Sequence, residues 1–136
     1  MPSPFRLAAL LLLVAAPFAV ADKIVLVAGG GTGGDGAKGA DAKLLEPFAL
    51  GFAADGSVLF VEMTKGERLR QVAPDGTVTT LAGTGKKGAG GDGGPADQAE
   101  FNGMHNLLVA KDGTVYLAAS FNNRVRQCDT ETKTVW

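Results

Sequence analysis

Gly34-Asp35-Gly36 returns as Gly91-Asp92-Gly93, and Asp55-Gly56 returns as Asp112-Gly113, each 57 residues further along the chain. Ala42 and Ala99 keep the same spacing, as do Thr77-Val78 and Thr134-Val135. Arg68-Leu69-Arg70 returns one residue early as Arg124-Val125-Arg126, and the second Gly-rich loop, which follows Leu81-Ala82-Gly83, is the longer of the two. A fixed internal period decides the architecture before any single motif does. Within each copy the pattern is strand, turn, strand. Residues 49–53 are apolar, Asp55-Gly56 turns the chain, and residues 57–62 are rich in β-formers. Residues 68–72 alternate polar with apolar, Pro74-Asp75-Gly76 is a second turn, and residues 77–81 form a fourth β-rich run. The second copy repeats this over residues 107–110, 114–118, 124–128 and from Thr134 onward. Four short strands joined by Asp-Gly turns predict an antiparallel meander. Repeated in tandem, that meander is the unit of a β-propeller, so the expected fold is all-β: a partial propeller of about two four-stranded blades.

The chain has 136 residues, of which 46% are hydrophobic, and a formal net charge of -1. That apolar fraction belongs to a globular protein rather than a disordered one. The near-neutral balance gives no electrostatic case for nucleic acid or an anionic membrane. The first 21 residues stand apart. Arg6 precedes an apolar run over residues 7–14, extended to Phe18, and Ala19-Val20-Ala21 offers a small-x-small cleavage site before Asp22. This is the pattern of a secretory signal peptide, too short for a spanning helix. It places the mature protein in the periplasm or outside the cell, with no membrane attachment after cleavage. The organisation expected is a signal peptide over 1–21, an N-terminal closing strand plus first blade over 22–82, and a second blade over 83–136, cut off in its fourth strand. Cys128 is the only cysteine, so no internal disulfide forms. It stands where Val72 stands in the first copy, which predicts a buried, inert thiol.

The second copy runs Gly91-Asp92-Gly93-Gly94-Pro95-Ala96, Ala99-Glu100-Phe101-Asn102, Asp112-Gly113-Thr114-Val115-Tyr116-Leu117-Ala118 and Asn122-Asn123-Arg124-Val125-Arg126. This resembles the NHL-repeat family of β-propellers over nearly all of residues 24–136, most specifically in the GDGGPA loop and in N-N-R-V-R after a V-Y-L-A strand. The resemblance implies four-stranded blades around a central channel. The chain departs from the pattern by holding two repeats, which reads as a truncated or fragmentary member, the alternative being a short chain that assembles its ring from several copies. It also has Ala119 where the first copy has Glu62. In the family that acid commonly pairs with an Arg of the next strand, so Arg124 or Arg126 is expected to lack its usual partner. Residues 23–28 match the fourth strand of a blade, as if to complete one.

Gly29-x-Gly31-x-x-Gly34 matches a dinucleotide fingerprint by spacing, but Gly36, Gly39 and Pro47 interrupt the helix that such a site needs. Residues 30–35 also resemble the start of a calcium-binding nonapeptide, of which a single copy supplies too few oxygens. Asp35 and Asp92 read as loop carboxylates that bond backbone N–H groups. The long loops 29–45 and 83–102 are the best functional candidates, and Pro95 is placed to open a helical turn that plugs Ala99 and Phe101 onto the blade. Arg68 and Arg70, like Arg124 and Arg126, lie two apart on a strand and share a face, where pairing with acids competes with binding an anionic ligand. His105 is the only histidine, and Phe48 is its counterpart.

No nucleophile–base pair is visible. The leading expectation is a non-catalytic binding or scaffold module that meets a protein or small-molecule ligand at its loop face, through Asp35, Asp92, His105, Arg124 and Arg126. No cofactor is expected. The alternative, which the resemblance supplies, is part of a metal-dependent gluconolactonase-like hydrolase or lyase. Glu62, His105 and Asn106 would then contribute to a calcium or other divalent site. Open blade edges favour self-association.

Overall fold

The computed structural model describes residues 23–136, so the signal-peptide assignment lies outside the described residues. The first copy folds as strands β1 (Pro47–Phe52), β2 (Val58–Glu62), β3 (Arg68–Val72) and β4 (Val78–Ala82), which pair antiparallel in that order. The second sheet holds β5 (Gly94–Pro95), β6 (Met104–Val109), β7 (Val115–Ala119), β8 (Arg124–Asp129) and β9 (Thr134–Val135), in the order β5-β9-β8-β7-β6. Four of these make the expected meander. The fifth, β5, is a piece of the Gly-rich loop laid along the outer edge of β9. The first copy has its counterpart in a single bridge between Lys38 and Thr77.

The Asp-Gly turns explain why the hairpins close where they do. Asp55 accepts a hydrogen bond from the Ser57 amide at 2.8 Å, and Asp112 accepts one from the Thr114 amide at 3.0 Å. The glycine between them must then turn to a positive φ, +87° at Gly56 and +86° at Gly113, which costs a residue without Cβ little. The amide bonds hold both aspartates below the usual carboxylate range.

Cross-strand register sorts each blade into two faces. On the first blade Val58, Phe60 and Glu62 oppose Val72, Arg70 and Arg68 on one face, which we call the front. Leu59 opposes Gln71 and Val61 opposes Leu69 on the back. The same rule puts Val115, Leu117, Ala119, Arg126 and Cys128 on the front of the second blade, and Tyr116, Ala118 and Val125 on its back. The main core lies between the blades. Leu59, Val61 and Leu69 from the back of the first meet Val115, Leu117, Ala119 and Cys128 from the front of the second, with Ala96, Ala99 and Phe101 inserted from the loop. Full burial of a side chain such as Phe101 contributes roughly 1.5–3 kcal/mol. The blades approach closely at Gly51, where a Cβ would meet Leu107 Cδ1 at 2.7 Å. The loop of the first copy covers the front of its own blade in the same way, with Ala42 against Phe60, Val72 and Val78.

The two loops carry matching one-turn 3-10 segments, Gly39–Asp41 and Ala96–Gln98. Pro95 caps the second of these rather than starting it. Ala99 and Phe101 are fully buried behind it, as expected of a plug. Residues 23–28 do not form the expected strand; they run without a sheet partner, and Ile24 is fully exposed. Val27 and Ala28 line one cavity with β1 without joining its ladder.

Candidate functional site

Arg70 organises the loop end of the first blade. Its side chain is 5% exposed, and Nη1 donates to Glu62 Oε1 at 3.0 Å while Nη2 donates to Asp35 Oδ1 at 2.8 Å. Glu62 is fully buried and its Oε1 also accepts from the Leu45 amide at 2.8 Å. Asp35 reaches onward to Thr80, accepting from its amide at 3.0 Å and its hydroxyl at 3.1 Å. One loop carboxylate therefore ties the Gly-rich loop to both β3 and β4. Asp35 bonds a backbone amide, as its loop position suggested, and a guanidinium besides.

In the second copy Ala119 replaces Glu62, yet neither arginine is left without a partner. Asp92 takes both: Oδ1 lies 2.5 Å from Arg126 Nη2 and Oδ2 lies 3.3 Å from Arg124 Nη1. Arg126 also donates to the Glu100 and Gly90 carbonyls at 2.8 and 3.2 Å, and its guanidinium stands 5.0 Å over the Phe101 ring. The strand acid that Arg124 or Arg126 was expected to lack is absent at Ala119, and the loop carboxylate of Asp92 pairs with both arginines in its place. The longer second loop carries its own acid and carbonyls to the site, supplying what β7 lacks.

The first copy differs in a second respect. Arg68, the counterpart of Arg124, meets only carbonyls, Gly66 O at 3.5 Å and Thr84 O at 3.3 Å. It lines a cavity of about 310 Å³ together with Thr32, Gly34, Asp35, Lys43, Arg70 and Thr80. Lys43 and Arg68 were not singled out together from the sequence. The signal was present: Lys43 aligns with Glu100, a reversal of charge between otherwise matching loops.

The remaining candidates lie apart from this cavity. His105 stands on β6 between two rings, Phe48 and Phe121, each 5.2 Å away and edge-on, and its Nδ1 is 3.0 Å from the Gly103 carbonyl oxygen. The two residues matched by the repeat, Phe48 and His105, therefore touch. Asn106 is exposed and its Oδ1 accepts from the Leu107 amide. Glu62 is held by Arg70 on the first blade, while His105 and Asn106 lie on β6 of the second. Among the described residues no group of three His, Cys, Asp or Glu side chains is placed to share a metal ion. Cys128 is buried, and desolvation pushes its thiol up to about 11.

Glu67 escaped the sequence reading. It sits in the β2–β3 turn at φ +47°, almost fully buried, and accepts the Gly103 amide of the second blade at 2.9 Å. Burial raises its pKa above the ordinary carboxylate value. Its counterpart Asn123 takes the same left-handed conformation at φ +54°.

No protein-family model matches the chain, and no curated protein matches it either. Solved structures do. A structural-genomics protein of unknown function from Bacteroides thetaiotaomicron matches with a TM-score of 0.63 and 26% identity, over 69% of this chain and 23% of that one. An auxiliary nutrient binding protein from Bacteroides ovatus matches with a TM-score of 0.61 and 26% identity, over 70% of this chain and 25% of that one. A second auxiliary nutrient binding protein, from Bacteroides thetaiotaomicron, matches with a TM-score of 0.60 and 24% identity, over 74% of this chain and 27% of that one. The chain spans about a quarter of the length of each. Tandem four-stranded meanders, stacked back to front with a loop plugged between them, and the likeness to these structures give one conclusion: the chain is a partial β-propeller of two blades.

Proposed function

We propose that this chain is a ligand-binding module of an exported NHL-type β-propeller, with its site at the loop face of the first blade. The observation that carries the reading is the loop-face cavity, framed by a side chain that is itself locked. Arg70, held by Glu62 and Asp35, forms a rigid wall, and Lys43, Arg68 and Thr80 present polar groups beside it. A few polar groups on a stiff scaffold are what a small-molecule site needs. The Bacteroides ovatus neighbour is described as an auxiliary nutrient binding protein, which agrees with a binding role. Export rests on the basic, apolar and small-residue segments of residues 6–21. Among the described residues no helix is long and apolar enough to cross a membrane.

The test is a thermal-shift panel of sugars, amino acids, organic acids and phosphate on the purified chain. At least one compound should raise Tm, and Arg68→Gln, which takes a cavity-lining guanidinium away, should reduce that shift. A panel without effect sinks the binding reading. Lactone hydrolysis abolished by a chelator would replace it with the hydrolase.

A further inference from the structure

We infer that the first-blade cavity is an oxyanion site, selective for small molecules that carry a carboxylate or phosphate group; this rests on the binding reading above and narrows it to one ligand class. The inference comes from comparing the two copies within the molecule. Four arginines fall among the described residues, and three of them have a carboxylate: Arg70 has Glu62 and Asp35, and Arg124 and Arg126 share Asp92. Arg68 alone has none. Its guanidinium reaches two carbonyl oxygens at the long end of hydrogen-bonding distance. Lys43, exposed at the mouth of the same cavity, makes no ion pair among the described residues.

The difference has a cause in the sequence. In the second copy the loop aspartate spans both arginines, because no acid on β7 competes for Arg126. In the first copy Glu62 and Asp35 both settle on Arg70, and Asp35 spends its remaining capacity on Thr80. Arg68 is left over. The loop then adds charge rather than cancelling it, with Lys43 where the second copy has Glu100. Arg70 lines the cavity too, and its buried Nε, like that of Arg126, has no hydrogen-bond partner among the described residues. Thr32 and Gly34 line the same space, and their amides donate to no protein group among the described residues. A guanidinium without a carboxylate, an ammonium and backbone amides are the donor set that an oxyanion completes. The cavity's roughly 310 Å³ suits a small organic acid or a phosphate ester.

The experiment titrates the chain with inorganic phosphate, with citrate and with glucose, reading amide shifts of Gly33, Gly34 and Thr80 by NMR and affinity by calorimetry. Phosphate or citrate should bind saturably with shifts at these amides, and glucose should not. Lys43→Gln and Arg68→Gln should each weaken binding about tenfold, the loss of one charge-assisted contact. Arg124→Gln, at the matching place in the second copy, should leave it unchanged. Lys43 is exposed, so its variant keeps the test open if Arg68→Gln fails to fold. Saturable glucose binding at the same amides without oxyanion binding overturns the oxyanion assignment and leaves the binding site standing. Oxyanion affinity that is indifferent to Lys43 and Arg68, or lost equally in Arg124→Gln, also overturns it. No shift with any of the three, and none in the wider panel, removes both.

Discussion

At Arg70 a guanidinium is shared between two carboxylates, and at Arg126 the same group depends on one. Asp35→Ala should therefore cost within about 1 kcal/mol, because Glu62 still holds Arg70 and Asp35 is half-exposed. Asp92→Ala should cost about 1–3 kcal/mol, since it strands a guanidinium that is 2% exposed. The full penalty of a broken buried pair is softened because Asp92 is half-exposed and Arg126 keeps two carbonyls. Urea midpoints of the two variants decide the order. Glu67 behaves oppositely to most carboxylates. Its folded pKa is raised, so its contribution is most favourable below the ordinary value of 4.5 and is lost as pH rises through the raised one. Glu67→Gln should thus match the wild type in acid and gain on it toward neutrality, and melts at both pH values show the crossover. Cys128, with its thiol pushed up to about 11, should resist iodoacetamide in the native chain at about pH 8 and react once urea unfolds it.

Matching elements of the two copies are not equally buried. Phe101 and Leu44 stand at corresponding places behind their 3-10 segments, but Phe101 is fully buried between blades while Leu44 is partly open. Phe101→Ala should cost about 3–5 kcal/mol and Leu44→Ala about 1 kcal/mol, by chemical denaturation. The strands and turns were legible in the sequence because each is a local matter. An Asp-Gly pair closes a hairpin through its own side chain and its own φ, and alternation sets the faces. Cys128 was legible because Val72 occupied the same slot. The contacts that were not legible join distant segments: Glu67 to Gly103 across the blades, and Asp92 to two arginines in place of one. Residues 23–28 have a β-like composition but pair with no strand of either sheet. The cavity is half legible in the sequence: Asp35 and the paired arginines stand at repeat positions, while the charge reversal from Lys43 to Glu100 gains meaning only once the loop is folded against Arg68.

On the scale of the whole molecule, one blade face remains without the packing that its twin enjoys. Leu59 and Leu69, on the back of the first blade, are buried against the second. Their counterparts Tyr116 and Val125 are 39% and 74% exposed, beside Leu108 at 63%. A further blade would sit there, and apolar surface of this kind drives association when left open. The chain should self-associate in solution, and Val125→Lys should lower the mass seen by light scattering without loss of β signal. A contact between unlike faces also has an arithmetic. Each blade offers a front to one neighbour and a back to the next, so the stack has a direction, and its two ends are complementary rather than alike. Such an object grows or shrinks only in whole units. A deletion of one complete period leaves every remaining contact intact, while a deletion of half a period leaves a front facing a front. Inheritance acting on this fold is thus confined to counting in integers.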